Sequence, residues 1–307
     1  MNLHRRSLAL AAPAALAALP LAAVHAQPAA PANPAAGAAM RVLVAHPVVA
    51  ALTQTLVQGS GIAMLRPVPE SLPANRQLAF FTGRGAAGLA QAARQADAVV
   101  ALRSIWPDDP LFPLARRQNI RLIEIDAARP LDASLPGIAL HEGAASATAL
   151  PWLDPVNLGR MADVIAADLS RLAPDARPRL QANAAALRQQ VLAVAAQSEA
   201  RLAAAANLTV FSLSDRLAYL VSGFNLDLAG SDVREDEAWT PDAVAALVQR
   251  LRAASVAAAL HHRELPAPLQ AALPAAGVRA IVLQTEGRDP LAELKENGLR
   301  LAVLAPR

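Results

Sequence analysis

A chain of 307 residues that is 54% apolar is long enough for two modest domains, each with its own core, and too apolar for a disordered polypeptide. Its formal charge of +3 falls to about +1 once residues 1–26, with Arg5 and Arg6, are set aside, and that leaves no electrostatic footprint for nucleic acid. The absence of cysteine excludes disulfides, thiol nucleophiles and a lipid-modified cysteine.

The chain opens with a basic start, an apolar run from Leu8 to Ala23 and a small-residue cleavage site at Val24-His25-Ala26. This reads as a cleaved signal peptide over residues 1–26, with a membrane anchor as the competing reading; Pro13 and Pro20 break the run and make it short for a span. The protein is therefore expected in the periplasm, exported and not a lipoprotein. Residues 27–39, QPAAPANPAAGAA, have no hydrophobic periodicity and read as a flexible leader.

From there, short apolar runs alternate with longer Ala/Leu/Arg stretches of helical period, the pattern of parallel sheets covered by helices. The strand candidates are RVLVAH (41–46), GIAMLRPV (61–68), DAVVALRS (97–104) and IRLIEID (120–126), then LTVFSLS (208–214), FNLDLAG (224–230), SVAAALHH (255–262) and VRAIVLQ (278–284). Between the two sets, Leu158, Met161, Ile165, Leu169 and Leu172 fall on one helical face that Pro174 interrupts. A second helical stripe, Leu180, Ala184, Leu187, Val191, Val194 and Leu202, follows Pro178, a residue tolerated in a first turn. A helix of about 28 residues is a rod of roughly 40 Å. It predicts a rigid join between lobes, while a coiled-coil dimer is the competing reading of the stripe. The expected class is α/β: two Rossmann-like lobes with parallel sheets, at 40–173 and 207–307, joined by one long backbone helix at 174–206.

Trp152-Leu153-Asp154-Pro155 with Asn157 is similar to a phrase in the periplasmic receptors of zinc and manganese ABC importers, which usually open it with His-x-Trp. Further likenesses are LAPDARPRLQANAAAL (172–187), RLAYLVSGFNLDL (216–228) and EDEAWTPDAVAALVQRLRAASVAAAL (235–260), in the family's order and spacing. The resemblance covers nearly all of the chain after the leader. It implies a non-enzymatic, monomeric solute-binding protein whose partners are an ABC permease and its ATPase, with a divalent metal (zinc or manganese) or another small solute as transported ligand.

The family holds its cation with donors from both lobes, and a divalent cation needs about four nitrogen or oxygen donors at close to 2 Å. Counting along the motifs puts the family's ligand places at Phe81, Leu150, Ser214, His261 and Gln284, so one good transition-metal donor, His261, remains among them. The resemblance therefore implies a metal site that is lost or rebuilt. His46 stands at the end of the first predicted strand, where open α/β sheets bind ligands. With His261 it forms the candidate metal pair, with Glu264, Glu286 or Asp215 as third donor. The plainer alternative is that His46 caps the turn before Pro47 and that His262 is merely solvated. Phe81, Leu150, Trp152, Ser214, Asp215, Arg216 and Gln284 are expected to line the ligand-binding cleft. Trp106, Trp152 and Trp239 either pack the interlobe core or offer a stacking wall. His141 falls in a loop, LHEGAASATAL, expected on the surface.

Other chemistry is thin. GRGAAG (83–88) lacks the context of a dinucleotide fingerprint, and there is no Gly-x-Ser-x-Gly or His-Glu-x-x-His. The second functional class open to the sequence is a receptor-derived envelope interaction or structural protein that binds no small ligand, suggested by the apolar residues at 81 and 150.

Overall fold

The computed structural model describes residues 39–132, 135–141 and 148–305. The expected signal peptide, and the expected leader except for Ala39, lie outside the described residues. In chain order the first half contains β1 (Arg41–Leu43), α1 (Pro47–Val57), β2 (Ala63–Leu65), α2 (Gln77–Thr82), α3 (Ala86–Gln95), β3 (Ala98–Ala101), α4 (Leu111–Arg116) and β4 (Ile123–Asp126). Its four strands are all parallel, in the order β2-β1-β3-β4. Two helices follow, α5 (Pro155–Leu172) and α6 (Arg177–Leu202). The second half repeats the plan with β5 (Thr209–Ser212), α7 (Ala218–Gly223), β6 (Asp227–Ser231), α8 (Pro241–Ala253), β7 (Ala258–His261), α9 (Ala267–Ala275), β8 (Arg279–Val282) and α10 (Pro290–Leu301), whose strands lie parallel in the order β6-β5-β7-β8.

Local chemistry sets many of the boundaries. Six helices carry proline in the first two positions, where the missing N–H removes no intrahelical bond. Asp154, Thr240 and Asp289 cap α5, α8 and α10 by accepting from Val156, Ala243 and Ala292 backbone N–H groups. Ahead of Pro174 the backbone of Ala173 leaves the helical region, which ends α5.

Each sheet is covered on both faces. On their outer faces, Leu43, Val99 and Phe112 belong to one apolar cluster and Phe211, Leu247 and Leu269 to another. The inner faces share a single core running from Val42 and Val100, through Leu158, Met161, Ile165, Leu180 and Leu187 of the joining helices, to Val210, Leu260 and Leu294. Each fully buried Leu, Ile or Met there contributes on the order of 1.5–3 kcal/mol. At 1.5 Å per residue the 26 residues of α6 make a rod of about 39 Å. Its apolar stripe packs on α5, α10 and α1. The seam that a coiled-coil partner would need is therefore occupied within the chain. Among the described residues no helix is long and apolar enough to cross a membrane.

Candidate functional site

In each sheet the chain reverses its direction of strand addition at one place, between β1 and β3 and between β5 and β7. Loops leaving the two central strands at such a place diverge, and their carboxyl ends frame a crevice. The sequence-predicted histidines stand at these two switch points, His46 after β1 and His261 at the end of β7.

At the first switch point the imidazole of His46 meets Trp106 and Trp152 edge-on, with ring centroids 5.9 and 5.2 Å apart. His46 occupies the N-cap position of α1, but its side chain makes no capping bond. Both His46 Nδ1 and Trp152 Nε1 are buried without a hydrogen-bond partner. Burial, reinforced by the positive charge of Arg66, pushes the His46 pKa down to about 3, so the ring is neutral at physiological pH.

At the second switch point Ser214 Oγ lies 2.7 Å from His262 Nδ1 and accepts from the Arg216 backbone N–H. Where the serine hydroxyl donates to Nδ1, the proton of neutral His262 sits on Nε2; in the other tautomer Nδ1–H donates to Ser214 Oγ and Nε2 keeps its lone pair. His261 stacks on His262 at 4.7 Å, and its Nδ1 is engaged by the backbone of Arg263. Burial is the main cause of both depressed pKa values, and that of His262 falls to about 4. Arg216 adds to the effect at His262 and Arg263 at both rings. The expectation that His262 is merely solvated does not hold, because it is half-buried and bonded to Ser214.

The candidate residues therefore form two groups. Ser214, Asp215, Arg216, His261 and His262 share one neighbourhood, and His46, Trp106 and Trp152 the other. Neither His46 nor His261 counts the other among its ring contacts, hydrogen bonds or charge neighbours. The expected third donors are occupied or solvated: Glu264 accepts from Gln270, Glu286 pairs with Arg288, and Asp215 is exposed. Among the described residues there is no group of three or more His, Cys, Asp or Glu side chains placed to hold a metal ion.

Three residues expected to line the cleft, Phe81, Leu150 and Trp152, are core side chains. Phe81, on α2, is buried with Leu43, Ala45 and Val68 in the outer core of the first half, because counting along a motif cannot register the turn of a short helix. Leu150 is buried in the shared inner core with Trp152. Gln284 is half-buried, and Asn297 clasps its backbone through both N–H and C=O. Trp239 packs in the outer core of the second half with Arg234 over its ring.

Sequence reasoning missed one contact between the two halves. His141 stacks on Tyr219 with centroids 4.2 Å apart, and its backbone N–H donates to the Tyr219 hydroxyl oxygen at 3.0 Å. The partners are 78 residues apart, and no local pattern announces them.

The sequence model of the periplasmic zinc-uptake complex component A family matches residues 126–297, more than half of the chain. Comparison with curated proteins finds no match. Among solved structures, the solute-binding protein FpvC from Pseudomonas aeruginosa in complex with Mn2+ is 17% identical, over 86% of this chain and 97% of that one, with a TM-score of 0.64. A crystal structure of ZnuA is 19% identical over 86% and 98%, with a TM-score of 0.60. The laminin-binding protein Lbp of Streptococcus pyogenes is 18% identical over 87% and 99%, at 0.59. At these identities the likeness speaks for the fold.

Proposed function

The chain belongs to the family of the periplasmic zinc-uptake component A, and from that premise we propose that it is an exported solute-binding receptor of an ABC importer in which the family's metal site is lost. One observation carries the reading: at the two switch points, where a cation would need converging donors, no trio of His, Cys, Asp or Glu side chains assembles among the described residues. Instead, Leu150 is core, Ser214 is bound to His262, and the Nδ1 of His261 already has a backbone partner. Leucine offers no lone pair, and two imidazoles fall short of four donors.

In this reading the protein catalyses no reaction. It binds a small solute between lobes and presents it to a permease and its ATPase. Because α6 and the inner core are common to both halves, closure is a small tilt and not a wide hinge swing. The domain assignment that goes with it is a first lobe at 40–173, a linking segment at 174–206 and a second lobe at 207–307. Export to the periplasm by way of the signal peptide at 1–26 belongs to the same proposal.

Isothermal titration of the purified protein with zinc and with manganese tests the loss of the metal site. The expected result is no saturable binding at micromolar protein concentrations. Tight stoichiometric binding overturns it, and if His261→Ala abolished that binding the site would have been rebuilt around His261. Reconstitution with the importer's permease and ATPase in proteoliposomes tests the receptor role through stimulated ATP hydrolysis.

A further inference from the structure

A groove of about 880 Å³ runs along α1, walled by the end of β2, by α6 and by the turn that enters α10. None of Leu150, Trp152, Ser214, His261 or Gln284 lines it. Its volume falls within the range of small-molecule sites, roughly 300–1,000 Å³. Met64 and Leu291, with the buried Leu52 and Leu187 behind them, supply the apolar wall, and two arginines, Arg66 from the first half and Arg288 from the second, line the same space.

Arg66 is partly desolvated and under-partnered, and Arg288 is open to solvent. The Arg66 side chain is only 19% exposed, and its Nε is enclosed with no acceptor. Its acidic neighbour Glu70 lies 3.6 Å from Nη1 and is itself 90% exposed. Arg288 stands 3.6 Å from Glu286, both well exposed. Charge-assisted N–H···O bonds run at about 2.7–2.9 Å, so neither pair uses the guanidinium's donor fork. Asp289, the other acid of the groove besides Glu70, is committed to capping α10 through the Ala292 N–H. A partly desolvated cation with free donors beside an apolar wall is completed by an anion with an apolar body.

The geometry points to this groove as the binding site of an organic anion, an aliphatic molecule with carboxylates that engage Arg66 and Arg288 while its methylenes lie on the leucine and methionine surface. An inorganic anion leaves that surface uncovered, and a neutral alkyl chain leaves the guanidinium donors unmet. The ligand bridges the two halves against α6, so its binding favours one lobe arrangement. That the ligand is the transported solute rests on the receptor reading; that it binds does not.

The test is isothermal titration of the purified full chain with suberate at neutral pH, with 1,8-octanediol and inorganic phosphate as comparators. Suberate is expected to bind saturably, at least ten-fold more tightly than either comparator. Arg66→Gln and Arg288→Gln are each expected to weaken it ten-fold or more, and Ala51→Glu, which adds a negative charge to the wall formed by α1, to abolish it. If Arg66→Gln fails to fold, the exposed Arg288→Gln and the half-buried Ala51→Glu still decide the matter. No suberate binding, binding matched by the diol or by phosphate, or binding that Arg288→Gln leaves unchanged overturns the proposal. Suberate binding without stimulation of the permease–ATPase complex upholds the groove and removes the receptor role. Stimulation by another solute, with no suberate binding, does the reverse.

Discussion

The imidazole of His46 meets the indole of Trp152 edge-on, 5.2 Å between centroids and 64° between planes, and each ring carries a buried nitrogen with no partner, Nδ1 in one and Nε1 in the other. A neutral imidazole tolerates this position; an imidazolium carries an N–H on both nitrogens, and Nδ1 has no acceptor among the described surroundings. The pair therefore fixes the protonation state at the first switch point while joining the end of β1 to the turn before α5.

That relationship predicts a pH dependence. Unfolded, His46 titrates near its ordinary value of 6.5, whereas folded it titrates at about 3. Between those values the unfolded chain holds a proton that the folded chain lacks, so stability is lost as pH falls through the window, by up to about 1.4 kcal/mol per pH unit. Urea unfolding of the parent and of His46→Phe between pH 6.5 and 4 should give a clearly shallower slope for the variant. Equal slopes would show that His46 takes up its proton without unfolding.

Much of the architecture was legible because it is written in local patterns. All eight expected strands occur, shortened to three to five residues, as with RVLVAH reduced to Arg41–Leu43, while β6 also runs one residue past its expected end to Ser231. The pleated core of a parallel strand is shorter than the apolar run that leads into and out of it. The linking helix was equally clear from the Leu180 to Leu202 stripe, and it ends at Leu202. The site was less legible, since its contacts join distant residues: Ser214 to His262, His141 to Tyr219, Arg66 and Arg288 to one groove. Phe81 shows the particular weakness of counting, because a motif offset locates a residue along the chain and says nothing about which face of α2 it occupies.

Gly223 closes α7 where the second half meets the turn before α5. A Cβ there would come 2.9 Å from Asp154 Cα and 3.0 Å from Pro155 Cδ, both rigid parts of the α5 cap. Backbone cannot yield as a flexible side chain can, so Gly223→Ala is expected to destabilise the fold by about 1–3 kcal/mol. Denaturant midpoints measure this. A change below about 0.5 kcal/mol would mean that α7 can slide along the turn freely.

Tyr219→Phe separates the two parts of the His141 contact. The ring stack survives, while the hydroxyl that accepts from the His141 backbone N–H is removed. One hydrogen bond near the surface is worth about 0.5–1.5 kcal/mol, and the loss should fall in that range. Amide exchange at His141 is expected to speed up in the variant, and unchanged exchange would show that the bond does not protect this loop.

Gly287 lies on the path from β8 into α10 with φ +70°, a conformation that favours glycine. A Cβ at this position would lie 3.4 Å from both Trp152 Nε1 and Val48 Cβ, so the substitution meets the first half of the chain at the residue that packs on His46. Contact at 3.4 Å is ordinary, and the cost of Gly287→Ala therefore comes mainly from the backbone, about 1 kcal/mol or somewhat more. Relieving that strain moves the 286–289 segment, and with it Arg288 at the groove, while Trp152 loses or gains a close neighbour. Emission from the indoles should shift in Gly287→Ala even though tryptophan content is unchanged, and suberate affinity should fall because one of its two guanidinium partners is displaced. A variant with about the predicted stability loss, parental emission and parental suberate affinity would show that the segment absorbs the strain locally and does not couple Trp152 to the groove.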